Sequence, residues 1–207
     1  MAIKLVTLNS IMQFEKLYNC CHNAKMKSDA FRRKIHPRIG RHKWSREVRE
    51  IVNVLFVCLG NICRSPMAEA VLRHKIEQRH LSSQIAVDSA GTGDWHIGKV
   101  PHEGTRGILD LHGISYEHMT ARLVGGDDFE KFQYIICMDK SNGDNVRKIP
   151  GGENSKLLFF MDLLPDEELR EVPDPYFTGN FEQVYDLVNA GCEVLLERII
   201  TEKLEQA

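Results

Sequence analysis

The amino-acid sequence predicts an α/β fold in which a parallel sheet is wrapped by helices. Short apolar, β-branched runs alternate along the chain with segments whose apolar residues recur at helical spacing. One of these runs, residues 53–57, passes within a few residues into a predicted helix. In such sheets the active site lies beyond the carboxyl ends of the strands. The turn at residues 58–65 takes that position, so we expect the function there.

The charge distribution separates the first quarter of the chain from the rest. Residues 1–50 contain 12 Lys and Arg against 4 Asp and Glu, and the remainder contains 15 against 25. We therefore predict a basic, poorly ordered N-terminal extension over residues 1–51 and one folded domain over residues 52–207. The acidic balance of that domain gives no support to nucleic-acid binding.

Composition and the N-terminal sequence also bear on the location of the protein in the cell. No apolar run approaches the roughly 18 residues that a membrane helix needs, and the N-terminus does not have the pattern of a signal peptide. Six cysteines scattered over 207 residues are not a disulfide framework. Together these observations predict a protein of the reducing cytoplasm.

Four predicted strands and the helices between them follow in chain order. The strands are predicted at residues 53–57, 85–91, 132–138 and 156–160. Helices are predicted over residues 66–79 and 102–112, a helical turn over 139–146, and a long closing helix over 181–203. Ser65 before Pro66 is a favourable helix start, and Gly113 is a favourable helix end.

The turn after the first strand has the residues of an anion site with a nucleophile. It reads Cys58-Leu59-Gly60-Asn61-Ile62-Cys63-Arg64-Ser65. Gly60 permits backbone conformations closed to other residues and Asn61 tolerates left-handed φ, so successive N–H groups can face one anion. Arg64 can hold two phosphate oxygens, and the Cys58 thiolate would then face the phosphorus. Ser65 is expected to donate a hydrogen bond to that sulfur.

Spacing alone does not single out this turn. Cys192 and Arg198 are also separated by five residues. That second pair lies within the predicted C-terminal helix, has no glycine, and carries carboxylates where an anion would have to bind. We therefore attribute the second pair to chance.

A general acid is expected as well, because a displaced oxygen needs a proton. Asp174 is the candidate: it lies between two prolines in a loop that could fold over the turn. Aspartate before proline is also common in simple turns, so the position alone leaves that interpretation open. Tyr176 and Phe177 follow directly and, with Trp95, are candidates for the walls of a pocket for a phenyl ring.

The run VLFVCLGNICRSPMAEAV at residues 54–71, the VDSAGT segment at residues 87–92 and the DPY motif at residues 174–176 resemble the low-molecular-weight protein tyrosine phosphatases. The resemblance covers residues 52–207. It implies a four-stranded parallel sheet with helices on both faces, the flavodoxin-like phosphatase fold. It implies that Cys58 is the nucleophile that becomes phosphorylated, that Arg64 binds phosphate, and that Asp174 acts first as acid and then as base.

The resemblance also assigns supporting residues and partners. The residues expected to form the phosphate loop or to bind substrate are Leu59, Gly60, Asn61, Ile62, Cys63, Ser65, Trp95, Tyr176 and Phe177. Phosphotyrosine-containing proteins are the implied partners, no metal or other cofactor is implied, and the oligomeric state stays open between monomer and weak dimer. Cys63 is expected to form a reversible disulfide with Cys58 that protects the nucleophile from over-oxidation.

Three alternatives are open, and the first two of them share this loop. Protein arginine phosphatases typically carry Thr at the position of Ile62, which is apolar here and would pack against an aromatic ring, so phosphotyrosine is favoured over phosphoarginine. Arsenate reductases of this fold need a close pair of further cysteines, whereas Cys137 and Cys192 are 55 residues apart. A phosphoprotein-binding module without turnover would usually lack the cysteine, the arginine or the acid.

Overall fold

The computed structural model describes residues 51–204, so the predicted N-terminal extension lies outside the described residues except for Ile51. Four parallel strands form one sheet in the order β2-β1-β3-β4. They are β1 (Val52–Cys58), β2 (Ile85–Gly91), β3 (Tyr134–Cys137) and β4 (Leu157–Phe159). The predicted four-stranded parallel sheet is confirmed.

The helices are α1 (Arg64–Gln78), α2 (Glu103–Leu111), α3 (Asp128–Lys131), α4 (Lys140–Val146), α5 (Pro175–Thr178) and α6 (Phe181–Ile199). A 3₁₀ turn over Phe160–Leu163 follows β4, and a π-helical turn over Ile200–Leu204 follows α6. The single turns α3 and α5 are too short to give an apolar period, so the sequence pattern did not predict them. Gly113, beyond the end of α2, has the left-handed φ of 64° expected of a helix-ending glycine.

Helices cover both faces of the sheet because β1 is apolar on both sides. Val54 and Phe56 belong to a core that includes residues of α1 and α6. Leu55 and Val57 point to the other face and belong to a second core with Val146 of α4. Within the described part of the chain, no helix combines the length and the apolar character needed to cross a bilayer.

The strand order places a crevice at the carboxyl end of β1. The chain leaves β1 for β2 on one side and later adds β3 on the other, so the direction of winding reverses there. Ligands of open α/β sheets bind beyond the strands at such a reversal. Cys58 is the last residue of β1 and therefore lies at that point.

Candidate active site

The Cys58 side chain is buried and its sulfur accepts two hydrogen bonds from the loop that follows. The Asn61 backbone N–H lies 3.2 Å from Cys58 Sγ, and the Ser65 hydroxyl lies 3.0 Å from it. Two donors directed at one sulfur stabilise its thiolate form, because hydrogen bonds to a charged acceptor are stronger than those to a neutral one.

The start of α1 differs from the prediction. Ser65 was expected to cap the helix, but α1 begins at Arg64, and Cys63, at the N-cap position, makes no side-chain capping bond. The Ser65 hydroxyl donates to the Cys58 sulfur, and that predicted hydrogen bond is confirmed. The first turn of α1 is thus shaped around the sulfur rather than closed by a side chain.

Asn61 holds the bend of the loop. Its φ of 53° is left-handed, and its side-chain oxygen accepts the Arg122 backbone N–H at 2.8 Å. Its amide nitrogen donates to the hydroxyls of Ser65 at 2.9 Å and Ser89 at 2.8 Å. The expectation that Gly60 supplies an unusual φ is wrong, because its φ is not positive; a Cβ there would lie 3.0 Å from a carbon of the His96 ring.

Arg64 is buried and is held by two carboxylates. One terminal nitrogen lies 2.6 Å from Asp139 Oδ2 and 3.2 Å from the Val172 carbonyl, and the other lies 2.7 Å from Asp174 Oδ2. Burial alone would lower the pKa of Arg64, but the charges of Cys58, Asp174 and Asp139 raise it, so the guanidinium is a fixed cation. Its Nε is buried without a hydrogen-bond partner among residues 51–204 and can donate to an anion.

The Asp174 side chain caps α5 and faces Arg64. Its Oδ1 accepts the Tyr176 backbone N–H at 3.1 Å, while Oδ2 pairs with the guanidinium. The pairing brings the 172–177 loop against the loop after β1, although more than 100 residues separate them in sequence. A carboxyl group and a thiol therefore meet around one buried cation.

These groups line one cleft of about 190 Å³. Its walls are Cys58, Leu59, Gly60, Ile62, Cys63, Arg64, Trp95, His96, Asp174, Tyr176 and Phe177. All of them except His96 were predicted from the sequence as site residues. The two remaining predicted residues, Asn61 and Ser65, are buried and do not line the cleft, and they hold the loop through the hydrogen bonds described above.

Aromatic rings form the outer walls of the cleft. Trp95, Tyr176 and Phe177 are 57, 56 and 78% exposed. Deeper in the cleft, Ile62 is buried, and it packs with Cys63, Ala121 and the ring of Phe181. The ring beside Ile62 belongs to the protein itself, so the expected packing of Ile62 against the aromatic ring of a substrate stays a prediction.

Comparison with known proteins identifies the family. Residues 53–205 match the model of the family described as "Low molecular weight phosphotyrosine protein phosphatase". The chain belongs to this family.

Named relatives agree with that assignment. The low molecular weight protein-tyrosine-phosphatase YfkJ of Bacillus subtilis is 51% identical over 154 residues, which are 74% of this chain and 99% of YfkJ. Its crystal structure superposes with a TM-score of 0.72, at 50% identity, over 74% of this chain and 98% of that one. PtpA of Staphylococcus aureus is 45% identical, over 72% of this chain and 95% of its own length. A Drosophila arginine phosphatase structure superposes with a TM-score of 0.65, at 33% identity, over 72% of this chain and 98% of that one.

The second loop cysteine of this family member is held as a neutral thiol. Burial raises the pKa of Cys63 to about 12, and the charges of Cys58 and Asp174 add to the effect. All four described cysteines are free and buried, so the disulfide between Cys58 and Cys63 stays a prediction. Cys192 lies inside α6, with its sulfur 3.7 Å from the Ala68 carbonyl, which fits its assignment as a chance match.

Several polar residues of this phosphatase site were not predicted. Asp139 lies two residues beyond the end of β3, and its place near a carboxyl strand end was a usable signal for a site residue. Glu69 and Ser89 lie within the segments that resemble the family, but no pattern in the sequence connects them or Arg122 with the loop, because they reach it only through the fold. His96 lines the cleft but was not predicted, because only its neighbour Trp95 had the bulky aromatic ring expected of a pocket wall.

Proposed function

We propose that this protein is a protein tyrosine phosphatase that hydrolyses phosphotyrosine through a cysteinyl-phosphate intermediate. The observation that carries the proposal is the Cys58 sulfur, buried under two hydrogen-bond donors, in one cleft with Arg64 and Asp174. Phosphoproteins are the partners that this activity implies. The cytoplasmic location and the reversible disulfide remain predictions.

Arg64 is the group that binds the phosphoryl oxygens in this proposal. Its unpartnered Nε can donate to one oxygen, and the nitrogen now paired with Asp174 can donate to a second. Asp139 keeps the guanidinium in place through its other nitrogen. A bound phosphoryl group therefore competes with Asp174 for Arg64 and leaves the Asp174 carboxyl beside the leaving group.

The first displacement forms an S–P bond and breaks the P–O bond to tyrosine. The Cys58 thiolate supplies the electron pair, and Asp174 gives its proton to the departing phenolic oxygen. In the second displacement a water attacks phosphorus, Asp174 accepts its proton, and the S–P bond breaks. Inorganic phosphate leaves and the thiolate returns, where the Ser65 hydroxyl stabilises it.

The apolar walls of the cleft favour a phenyl ring over a guanidinium as the leaving group. Ile62 supplies no hydrogen bond near the phosphorylated atom, and Trp95 and Tyr176 present rings at the mouth. The most similar named relatives above are tyrosine phosphatases, while an arginine phosphatase superposes at lower identity. Phosphoarginine is therefore the alternative substrate.

The decisive experiment compares hydrolysis of phosphotyrosine and phosphoarginine versions of one peptide. We expect the wild type to prefer phosphotyrosine and Ile62→Thr to shift the ratio toward phosphoarginine, because Thr adds a hydroxyl beside the substrate. Ile62→Val is the matched control, since Val has the size of Thr without the hydroxyl. A wild-type preference for phosphoarginine would overturn the substrate assignment.

A simpler assay separates an enzyme from a binding module. We expect hydrolysis of p-nitrophenyl phosphate at mildly acidic pH in the presence of a chelator. Absence of turnover by folded protein would favour the phosphoprotein-binding alternative.

A further inference from the structure

A continuous chain of hydrogen bonds joins the buried carboxylate of Glu69 to the sulfur of Cys58. Glu69 Oε2 lies 2.7 Å from the Ser89 hydroxyl, and that hydroxyl lies 2.8 Å from Asn61 Nδ2. The same amide nitrogen lies 2.9 Å from the Ser65 hydroxyl, which lies 3.0 Å from Cys58 Sγ. The chain links α1, β2 and the loop after β1.

The donors and acceptors of this chain can be assigned from its contacts. Arg122 donates its backbone N–H to Asn61 Oδ1, so Asn61 Nδ2 faces both serines as a donor. Each serine oxygen then accepts from Asn61 and has its own hydrogen left to donate. Ser65 directs that hydrogen to the sulfur, with the Ala90 carbonyl a longer alternative at 3.4 Å, and Ser89 directs its hydrogen to Glu69.

Glu69 is suited to end the chain because an ionised carboxylate can only accept. It is 8% exposed, and its other oxygen pairs with Arg73 at 3.0 Å. Burial raises the pKa of Glu69, and Asp88 adds to this, whereas the Ser89 hydrogen bond, Arg73 and Arg122 oppose it. An acceptor at this end keeps the Ser89 oxygen available to Asn61, the residue with left-handed φ.

We propose that Glu69 is a positioning residue that fixes the direction of these hydrogen bonds and thereby keeps the Ser65 hydroxyl on the Cys58 sulfur. The role rests on the proposed phosphatase function. An amide in place of the carboxylate can donate to Ser89 and so compete with Asn61 for its oxygen. Asn61 would then lose one of the bonds that hold the loop, and the sulfur would lose part of its stabilisation in the second displacement.

Glu69→Gln tests this role with little change in shape. We expect kcat for p-nitrophenyl phosphate to fall about tenfold, the order expected for one weakened bond to a charged group. The inhibition constant for inorganic phosphate should change less than kcat, because Arg64 and its two carboxylates are untouched. Glu77→Gln makes the same charge change at an exposed position of α1 and should leave kcat within about twofold.

A double-mutant cycle decides whether Glu69 acts through Ser89. Ser89→Ala removes the hydroxyl that joins Glu69 to Asn61 without changing a charge. Its kcat therefore still tests the proposal if Glu69→Gln fails to fold. If Glu69 acts through Ser89, adding Glu69→Gln to Ser89→Ala causes no further loss of kcat. Losses that multiply would show an independent role and overturn the proposal.

Alkylation of Cys58 by iodoacetate gives a readout that does not depend on hydrolysis. We expect the pH midpoint of alkylation to rise by about 0.5 unit or more in both single variants. The other titratable or charged groups at the site are Cys63, Arg64 at the start of α1, and the two carboxylates paired with Arg64, which are Asp174 before α5 and Asp139 before α4. Both variants retain all of them. An unchanged midpoint would overturn the proposal, whereas a wild type that alkylates normally but hydrolyses nothing would overturn the proposed function alone.

Discussion

The phosphate loop, residues 58–65, and the aromatic rim of the cleft, formed by Trp95, Tyr176 and Phe177, are built in opposite ways. In the loop, Asn61, Arg64 and Ser65 are at most 3% exposed and their side chains are hydrogen-bonded to neighbours on several elements. At the rim, Trp95, Tyr176 and Phe177 expose more than half of their surface. The conformation of the loop is therefore fixed before substrate binds, whereas the exposed side chains of the rim can change conformation when it binds. Substitutions in the loop should lower kcat, and substitutions at the rim should raise KM.

The largest expected effect is at the sulfur. Cys58→Ser should lower kcat by more than about 10³-fold, because a serine hydroxyl at neutral pH is a far weaker nucleophile than a thiolate. Phosphate binding should persist, since Arg64 is unchanged, and the binding of inorganic phosphate can be followed by calorimetry. Cys192→Ala is the control, because Cys192 has the same spacing to an arginine but lies inside α6. If Cys58→Ser retained turnover, the proposed cysteinyl-phosphate mechanism would be wrong.

The next effect is expected at Asp174. Asn at this position can still cap α5, but it has no proton to give. Asp174→Asn should slow phenyl phosphate, which has a poor leaving group, by about 10²–10⁴-fold, and should slow p-nitrophenyl phosphate much less. Single-turnover rates on the two esters measure this. Equal losses on both would remove the role of Asp174 as acid.

The loop was predictable from sequence because its constraints are local. A strand, a glycine, an asparagine and a helix follow one another within about a dozen residues, and each has a conformational preference that survives without its neighbours. The same reasoning misplaced details that depend on tertiary contacts. Ser65 binds the sulfur as predicted but does not cap α1, and Gly60 makes room for His96 rather than adopting positive φ.

The polar residues behind the loop could not be predicted because only the strand register brings them there. Ser89 reaches Asn61 because β2 pairs in parallel with β1, and Glu69 reaches Ser89 from the helix between them. Asp139 reaches Arg64 because β3 lies on the other side of β1. No periodicity or motif spacing contains that information. The rim residues were found only as candidates, since exposed aromatics carry no periodic signal.

A third prediction compares the loop with the rim through the pH dependence of the free energy of unfolding, using the buried thiol of Cys63. The pKa of Cys63 is raised to about 12, against about 8.5 in an unfolded chain. Its contribution to stability is complete below about pH 8.5 and is lost as the pH rises toward 12, because only the unfolded thiol ionises in that window. The fold should therefore lose about 1–2 kcal/mol through this group by pH 10.

Cys63→Ala removes that titration. It should be less stable than the wild type at pH 7.5, since it leaves a small cavity, but the difference in free energy of unfolding should narrow by about 1–2 kcal/mol at pH 10. Trp95→Ala, at the exposed rim, should keep a constant difference from the wild type over the same range. Denaturant titrations at the two pH values measure both. A constant difference for Cys63→Ala would show that its thiol is not shielded as the loop geometry requires.

The smallest effect is expected at the rim. Tyr176→Ala should raise KM for a phosphotyrosine peptide about five- to tenfold, because one aromatic wall is lost, and should leave kcat for p-nitrophenyl phosphate within about twofold. Tyr176 also meets the ring of His102 edge to face, with ring centroids 5.9 Å apart, and His102 stacks on Phe181 behind Ile62. Tyr176→Phe keeps both the wall and that contact, so it should behave like the wild type. If Tyr176→Ala lowered kcat as much as it raised KM, the rim would be coupled to the loop through His102 and Phe181, and the division between a rigid centre and an adaptable rim would fail.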